Sequence, residues 1–396
     1  MNELNGLRVG IAGGSLAGLT AAPLLTDLGC EVTIYERSAA QLEGRGAGIV
    51  VHAMTVKYLQ ERGALRPEQL ATRVSQLVYL GPDDQVVHEE PCIWSFTSWN
   101  TLYRALRGCV DDERFRLGRA LTGFEMDSDG VSVAFGGGQR ERFDLLVGAD
   151  GIASTTRGIL FPDVHPSYSG YVAWRGTVDE WELSPPAAAL LGDAVVYHLM
   201  PHSHLLTYPI PSVDGSTDRG RRPINFVWYR NVRAGPDLDD LMTDQSGAVH
   251  QLSLPPGALR EVHLQEFRRA AQSLPNRLAE MVLRAAQPFL QPIVDVEVPR
   301  MAVGRTCLIG DAAFVARPHA AAGTAKAAAD GWALAAALQG MEGDLPAALE
   351  RWQQEQLALG RQLVARVRDV GDRSQFGSGW QPQDMSLRFG LYAPGD

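Results

Sequence analysis

The stretch LRVGIAGGSLAG at residues 7–18 decides the fold, because an apolar segment there runs directly into a glycine-rich turn. Residues 16–28 carry leucines at the spacing of a buried helix face, and residues 31–35 form a second short apolar segment. A strand, a tight turn, a helix and a second strand of these lengths predict a βαβ unit. We therefore expect a Rossmann-like sheet of the kind that binds dinucleotides.

The turn after the first strand has the residue types that a pyrophosphate requires. Gly13 and Gly14 permit a sharp turn, Ser15 is small enough for close backbone approach, and Gly18 lets the helix pack on the strand. The helix beginning near Leu16 would present unpaired N–H groups to the phosphates. The alternative interpretation is an ordinary glycine turn of an α/β protein.

An acidic residue, Glu36, closes the second strand and is followed by Arg37. A carboxylate at this place can accept hydrogen bonds from both hydroxyls of a ribose, which favours an unphosphorylated ribose. We predict that both residues belong to the nucleotide site.

Two further glycine-and-acid signatures lie far downstream, VGADG at 147–151 and LIGDAA at 308–313. Each follows an apolar strand, and each alone would be weak evidence. Three such turns in this order predict one extended, phosphate-bearing ligand held along its length, and we expect flavin adenine dinucleotide (FAD).

The segments around these two signatures resemble a known family. GADGIASTTR at 148–157 is similar to the DG motif of the single-component FAD-dependent aromatic hydroxylases, the para-hydroxybenzoate hydroxylase-like family. GDAAFVARPHAAAG at 310–323 is similar to their GD motif. Residues 170–176, 225–244 and 317–323 further resemble the members that act on dihydroxypyridines. The resemblance covers nearly the whole chain.

By matching position, the resemblance implies which residues hold the cofactor. Asp311 would bind the flavin ribose, and the helix beginning near Gly323 would direct its positive N-terminal end at the N1 and C2 carbonyl edge of reduced flavin. The residues carried over from the two motifs are Asp150, Arg157, Gly310, Asp311, Pro318, Ala322, Gly323, Thr324 and Ala325.

The chain also departs from the family pattern. Trp99 stands where many members have an arginine that contacts the pyrophosphate, and Ala320 and Ala321 replace the usual glycines. Because alanine is strained at positive φ, we expect the loop beside the flavin ring to take a somewhat different path.

The resemblance implies a monooxygenase. It would hydroxylate a small hydroxylated aromatic or N-heteroaromatic ring, such as a dihydroxypyridine, with O2 and with NADH as a transient co-substrate, through a C4a-hydroperoxyflavin. Relatives are often homodimers, so a homodimer is expected.

Three residues are candidates for proton transfer at the ring. His319 follows Pro318 beside the expected flavin position, His52 follows a strand that passes the flavin in the family, and Tyr208 lies on the middle sheet. Loop histidines and core aromatics are the alternative interpretations. The side chains expected to contact the ring are Trp174, Tyr208, Trp228 and Pro318.

The sequence predicts no metal site. His198, His202 and His204 have a superficial resemblance to metal-ligand spacing, but no cysteine or carboxylate joins them at ligand intervals. We interpret them as solvated histidines of a hairpin.

These segments predict an α/β fold with a discontinuous FAD-binding domain, an inserted and mostly antiparallel sheet, and C-terminal helices. The boundaries follow the motifs and the aromatic, proline-rich middle of the chain. We assign 1–70, 97–170 and 292–345 to the FAD-binding domain, 71–96 and 171–291 to the substrate domain, and 346–396 to a C-terminal helix and an irregular tail.

Composition narrows the partners and the compartment. The 396 residues carry a formal net charge of −10, which argues against nucleic acid as a partner. No apolar run of about 18 residues is present, so we expect no membrane span. Four scattered cysteines and no evident leader favour the reducing cytoplasm.

Two other functions remain open at this point. A flavin-dependent halogenase would share the fold, but its W-x-W-x-I-P motif finds no match in this sequence. A flavin- or nucleotide-binding regulatory protein without turnover would share the nucleotide signatures as well.

Overall fold

The computed structural model describes residues 4–42, 48–63, 67–341, 343–377 and 379–396. The described strands, in chain order, are β1 (Arg8–Ala12), β2 (Glu31–Tyr35), β3 (Gly48–Val50), β4 (Thr72–Arg73), β5 (Gln76–Leu80), β6 (Val86–Pro91), β7 (Ser95–Ser98), β8 (Phe115–Arg116), β9 (Leu121–Met126), β10 (Val131–Phe135), β11 (Arg140–Phe143), β12 (Leu145–Gly148), β13 (Ser167–Asp179), β14 (Ala194–Met200), β15 (Ser203–Pro209), β16 (Pro223–Asn231), β17 (Phe289–Glu297), β18 (Ala302–Val303), β19 (Thr306–Leu308) and β20 (Phe314–Val315).

The described helices vary from one short turn to a 31-residue rod. In chain order they are α1 (Leu16–Asp27), α2 (Ala53–Glu61), α3 (Pro67–Leu70), α4 (Trp99–Arg107), α5 (Thr155–Leu160), α6 (Pro185–Leu191), α7 (Pro236–Leu241), α8 (Glu261–Ala271), α9 (Asn276–Arg284), α10 (Gly323–Gln339) and α11 (Leu345–Gln375). Within the described residues, none of the helices combines the length and the apolar character that a bilayer crossing requires.

The predicted Rossmann-like sheet is present, with six strands in the order β18-β19-β12-β1-β2-β8. β1 pairs in parallel with both β12 and β2, and β12 pairs in parallel with β19. Parallel strands end at the same edge, so the turns after β1, β2, β12 and β19 all meet there. The three sequence signatures therefore converge, as expected.

The inserted sheet has eight strands in the order β20-β17-β13-β16-β15-β14-β5-β6. Its pairings are antiparallel except for β14 with β5, which run in parallel. β17 extends to Glu297, and β20 follows the third signature, so strand membership crosses the boundary expected at residue 292. The detailed division into domains stays a prediction.

The segment after α11 contains, among its described residues, only one short 3₁₀ turn at Met385–Leu387, in keeping with an irregular tail. The tail is nevertheless fixed to the rest of the fold. Arg373 of α11 pairs with Asp384 at 2.7 Å, and Arg388 pairs with Glu90 of β6 at 2.6 Å. The Phe389 ring lies 4.5 Å from the ring of Trp94.

A buried ion pair fixes α10 against the nucleotide-binding sheet. Lys326 Nζ and Asp330 Oδ1 are 2.5 Å apart, and the two side chains are 2% and 0% exposed. Asp330 Oδ2 also accepts a hydrogen bond at 2.9 Å from the backbone N–H of Gly310, in the turn after β19. The pair therefore positions the residue that follows, Asp311.

We predict that Asp330→Asn lowers the free energy of unfolding by about 3–5 kcal/mol, because the Lys326 charge loses its buried partner. Equilibrium unfolding in urea measures this loss. Glu61→Gln is the matched control, since Lys57 and Glu61 form the same i,i+4 pair on the surface and its loss costs no more than about 0.5 kcal/mol. Equal effects of the two substitutions would contradict the structural role given to the buried pair.

Candidate active site

A cavity of about 370 Å³ lies where the edge of the Rossmann-like sheet meets the inserted sheet. One end is bounded by Ser15–Ala17 of the first turn, by Asp311 and by Thr324 at the start of α10. The other end is bounded by side chains of the inserted sheet and of the C-terminal tail. The cavity is therefore a single space that reaches from the nucleotide turn to an aromatic pocket.

The first turn is packed too closely for side chains at its glycines. Gly13 has φ +111, and a Cβ atom there would overlap the carbonyl oxygen of Ala149. A Cβ atom on Gly18 would overlap the carbonyl oxygen of Gly13. The side chain of Ser15 makes no capping hydrogen bond to α1, so the first N–H groups of this 12-residue helix remain open to an anion.

Glu36 is buried at the end of β2, close to the same turn. Its carboxylate accepts hydrogen bonds from the backbone N–H of Gly14 at 2.9 Å and of Ser38 at 2.8 Å. Each oxygen retains a second lone pair for a ribose hydroxyl. Arg37 is exposed. A ribose contact by either residue stays a prediction.

Asp150 and Arg157 have their side chains engaged within the protein. The Asp150 carboxylate accepts hydrogen bonds from the backbone N–H and hydroxyl of Thr156 at 2.9 and 3.1 Å. Arg157 donates to the carbonyl oxygens of Ile152 at 2.5 Å and Ala312 at 3.2 Å. These two residues therefore join the second turn to the third, and a direct cofactor contact by either side chain stays a prediction.

Asp311 lines the cavity directly after Gly310. Burial disfavours its charged form and raises the pKa of its carboxyl to about 6, although the nearby Arg157 charge opposes the shift. A carboxyl in this place can accept hydrogen bonds from hydroxyl groups of a ligand in the cavity.

One alanine of the loop before α10 adopts the left-handed conformation that we expected the loop to avoid. Ala321 adopts φ +52, which alanine rarely does. Its carbonyl oxygen is 3.1 Å from Nε2 of His52, so His52 supports this loop from outside the cavity lining. Pro318, Gly323 and Thr324 line the cavity, whereas Ala322 and Ala325 are buried behind it.

Trp99, the residue that departs from the family arginine, also lines the cavity. As the first residue of α4, it stacks on Tyr103 with the ring centroids 4.9 Å apart. A flat apolar surface therefore occupies the position where the sequence resemblance implied an arginine.

Tyr208 lines the aromatic end of the cavity, and its contact with a substrate stays a prediction. Its hydroxyl donates a hydrogen bond to the carbonyl oxygen of Gly48 at 3.0 Å, and its ring stacks on Phe96 at 4.2 Å. Burial raises its pKa to about 12. These contacts fit a wall of the pocket better than the proton-transfer role predicted from the sequence.

Trp174 and Trp228 do not line the cavity, and the predicted substrate contacts are corrected here. The two residues are directly paired between β13 and β16, so they share one face of the sheet. That face packs against Phe267 of α8, whose ring is 4.4 Å from Trp174 and 5.8 Å from Trp228. The cavity is on the opposite face, beside Arg175 and Tyr229.

His319 lies in the cavity lining with one nitrogen hydrogen-bonded and one not. Its Nε2 is 2.7 Å from the hydroxyl oxygen of Tyr171, and Nδ1 is buried with no partner among the described residues. Burial and the neighbouring Arg317 charge lower its pKa to about 3, so the ring is neutral near pH 7. Gly371 of α11 leaves room for this pair, because a Cβ atom there would lie 2.8 Å from His319 Nε2 and 2.6 Å from the Tyr171 hydroxyl.

His204 is part of the same pocket and was not predicted to be. It is buried in the cavity lining, and its ring centroid is 5.4 Å from that of His319. The interpretation as a solvated hairpin histidine was wrong for this residue and for buried His198, whose Nδ1 is 2.9 Å from the Leu80 carbonyl oxygen. The alternation of side chains along β15 could have predicted this position, because residues 204 and 208 lie on the same face of the sheet.

Arg175 is a second residue that sequence reasoning missed. It lines the cavity on β13, its Nε atom is buried without a hydrogen-bond partner, and no carboxylate within the described chain pairs with it. The only signal in the sequence was its place on a strand, directly after Trp174, which was predicted to face the cavity. An unpaired guanidinium in an aromatic pocket can bind a negatively charged oxygen.

Comparison with known proteins places this geometry in a family. A family model described as FAD binding domain-like matches residues 168–295. The chain is 37% identical to 2,6-dihydroxypyridine 3-monooxygenase of Paenarthrobacter nicotinovorans, over 97% of this chain and 96% of that protein. The chain belongs to the FAD-dependent aromatic hydroxylases.

Two further matches support this assignment. The solved structure of 2,6-dihydroxypyridine-3-hydroxylase from Arthrobacter nicotinovorans superposes on this chain with a TM-score of 0.94 and 36% identity, over 100% of this chain and 99% of that one. The 6-hydroxynicotinate 3-monooxygenase of Pseudomonas fluorescens is 26% identical over 84% of this chain and 82% of that protein. The resemblance predicted from the sequence is therefore confirmed.

The residues of the hydroxylase fit FAD as its cofactor, and NADH is the co-substrate typical of the family. The open N-terminus of α1 and the closely packed turn at Gly13 suit a pyrophosphate. Asp311 suits the hydroxyl groups of the flavin side, and the 17-residue helix α10 begins at the cavity wall. The cavity lining therefore offers donors and acceptors to the pyrophosphate and the flavin side of FAD.

We predict that Gly18→Ala lowers the FAD content of the purified hydroxylase at least about tenfold, because one methyl group displaces the backbone of the pyrophosphate turn. Absorbance of released flavin per protein measures the effect. Gly158→Ala in α5 is the control, since nothing lies within 4 Å of the added carbon. Full flavin content in the Gly18 variant would refute the assigned phosphate site.

We predict that acid weakens the hydroxylase through its buried histidines. Burial lowers the pKa values of His52, His204 and His319 from 6.5, so the unfolded chain binds protons that the folded protein excludes. Their contribution is complete above pH 6.5 and is lost as the pH falls, to about pH 3 for His319, at up to about 1.4 kcal/mol per pH unit each.

Urea unfolding between pH 7.5 and pH 5 measures this slope. His319→Asn is expected to make the slope shallower than in the wild type. His202→Asn alters an exposed turn histidine with φ +57, a conformation that asparagine tolerates, and is expected to leave the slope unchanged. An unaltered slope in the His319 variant would disprove this assignment.

Proposed function

We propose that this hydroxylase adds a hydroxyl group to a small electron-rich ring of the dihydroxypyridine type, with NADH and O2 as co-substrates. One observation carries the proposal: His319 Nδ1 and Arg175 Nε are both unpartnered among the described residues, and both side chains line the same aromatic cavity. A planar ring with oxygen substituents is the class of ligand that suits a cavity lined by an imidazole, a guanidinium and aromatic rings.

The walls of the pocket exclude water and accept a flat ring. Tyr197, Leu206, Val227 and Tyr229 line this end of the cavity and are buried. Burial raises the pKa of the Tyr229 hydroxyl above its usual range, so its ring stays neutral at physiological pH. The pocket therefore binds the apolar faces of a ring and leaves its polar edge to a few groups.

His319 would hydrogen-bond to a ring hydroxyl at Nδ1. Its other nitrogen is fixed by the Tyr171 hydroxyl at 2.7 Å, which also fixes the orientation of the ring. With the proton on Nε2, the Nδ1 lone pair accepts a hydrogen bond from the substrate hydroxyl; with the proton on Nδ1, this atom donates to a substrate oxygen. In both tautomers the substrate oxygen binds at the same atom.

Arg175 would stabilise negative charge on a ring oxygen of the substrate. Its positive charge in a pocket of low polarity favours an oxyanion, and electron density returned from that oxygen makes the ring more reactive. The N-terminus of α10 adds a partial positive charge at the cavity wall. Bound FAD would supply the chemistry that takes hydride from NADH and activates oxygen.

The relatives support the substrate class. The 2,6-dihydroxypyridine and 6-hydroxynicotinate monooxygenases are named for hydroxylated pyridines, and this chain spans 96% and 82% of their lengths. A homodimer and a cytoplasmic location are further parts of the proposal. The four cysteines are free in the structure, which fits a reducing compartment.

We predict that 2,6-dihydroxypyridine or a related hydroxypyridine accelerates NADH oxidation by the yellow holoenzyme at least about tenfold, and that the product gains one oxygen atom. Stopped-flow flavin reduction and mass spectrometry measure the two effects. His319→Leu should reduce hydroxylation by about 10- to 100-fold with FAD retained, because the substrate oxygen loses a hydrogen-bond partner, whereas His165→Leu, on the exposed surface, should not.

Hydroxybenzoates belong to the same test panel. Stimulation by hydroxybenzoates alone would overturn the pyridine class but keep the reaction. No stimulation by any ring, with flavin bound, would favour the regulatory function that the sequence left open.

A further inference from the structure

The C-terminal end of the chain supplies one wall of the substrate pocket. The Trp380 ring lies 4.1 Å from that of His204, 5.7 Å from that of His319 and 6.3 Å from that of Tyr197, by ring centroids. Its side chain is 8% exposed and lines the cavity. A residue of the irregular tail is thus in contact with the groups that surround the ring site.

Trp380 presents an apolar surface to the pocket. Its only polar atom, Nε1, donates a hydrogen bond at 2.9 Å to the carbonyl oxygen of Val370 in α11. No donor or acceptor of the indole is left for a substrate. A charged or strongly polar substituent directed at this wall would lose its hydration without gaining a hydrogen bond.

The end of α11 fixes the ring of His204. Nδ1 of His204 is 2.7 Å from Ser374 Oγ and 3.3 Å from Gln375 Nε2. Gln375 Nε2 also donates to Ser374 Oγ at 3.0 Å. The end of α11 therefore engages His204 Nδ1, and Nε2 is the ring nitrogen left for the pocket.

Several contacts hold this wall in place. Asn231 of β16 donates a hydrogen bond to the carbonyl oxygen of Gln375 at 2.8 Å. Arg373 of α11 also bonds to two residues that follow Trp380 in the chain, the carboxylate of Asp384 at 2.7 Å and the hydroxyl of Ser386 at 2.5 Å. The wall is thus tied to both α11 and the inserted sheet, which gives the pocket a defined size.

We propose that Trp380 and Ser374 determine which rings this enzyme accepts. Trp380 limits the size and polarity of the substituents, and Ser374 is a positioning residue that orients His204 toward the ring. The proposal rests on the proposed function and adds the residues that set its specificity. It assigns the preference for small rings to the end of the chain rather than to the inserted sheet alone.

The test compares Trp380→Leu, Trp380→Phe and Ser374→Ala with the wild-type holoenzyme. The probes are 2,6-dihydroxypyridine and the same ring class with an added carboxylate or methyl group. Trp380→Leu is expected to shift the kcat/KM ratio of substituted to unsubstituted rings by about 10-fold or more, with Trp380→Phe intermediate. Trp181→Leu, at an exposed tryptophan, is the matched control.

Ser374→Ala has a separate readout. It should raise KM for the unsubstituted ring more than it lowers kcat, and it should change the pH profile of kcat/KM, because His204 Nδ1 loses its hydrogen bond to the Ser374 hydroxyl. Ser374→Thr, which keeps the hydroxyl, should restore both. A structural defect would not be rescued in this selective way.

The outcomes separate this inference from the proposed function. If no ring stimulates the wild-type enzyme, the proposed function fails. If the wild type is stimulated but flavin-loaded Trp380→Leu keeps the wild-type selectivity, only this inference is overturned. If Trp380→Leu does not fold, Trp380→Phe and Ser374→Ala decide, and unchanged selectivity and pH profile in both overturn it.

Discussion

Parallel pairing of β1 with β12 and β2, and of β12 with β19, is the constraint on which the remaining structure depends. It gathers turns from three distant parts of the chain at one edge of a sheet. The inserted sheet then covers that edge and encloses the cavity. Without this convergence, Asp311, the first turn and the pocket histidine would have no common space.

The nucleotide half of the fold could be predicted because its requirements are local. Gly13, Gly18 and Asp311 occur in short motifs whose geometry follows from a strand, a turn and a helix. The substrate half could not be predicted as well, because it depends on strand register. Tyr208 is paired with Asn225, and Trp228 with Leu205, so Tyr208 and Trp228 lie on opposite faces. Both could face inward only in a register shifted by one residue from the observed one.

Long-range contacts account for the other residues that sequence reasoning missed. His204 reads as a polar hairpin residue until α11 and Trp380 are known to cover it. Trp380 itself lies in a glycine- and proline-rich tail, where no periodicity predicts burial. Asp150 and Arg157 were recognised from their motif, but only the structure shows that they bond to neighbouring turns.

Gly371 sets a limit on how far this protein can be stabilised. Replacing a glycine within a helix by alanine ordinarily adds about 1 kcal/mol of helix stability, and α11 is the longest helix described in this chain. Here the gain would come with a methyl group directed at the Tyr171–His319 hydrogen bond. A substitution that stabilises the helix would therefore displace the His319 imidazole, so engineering for heat tolerance should leave Gly371 unaltered.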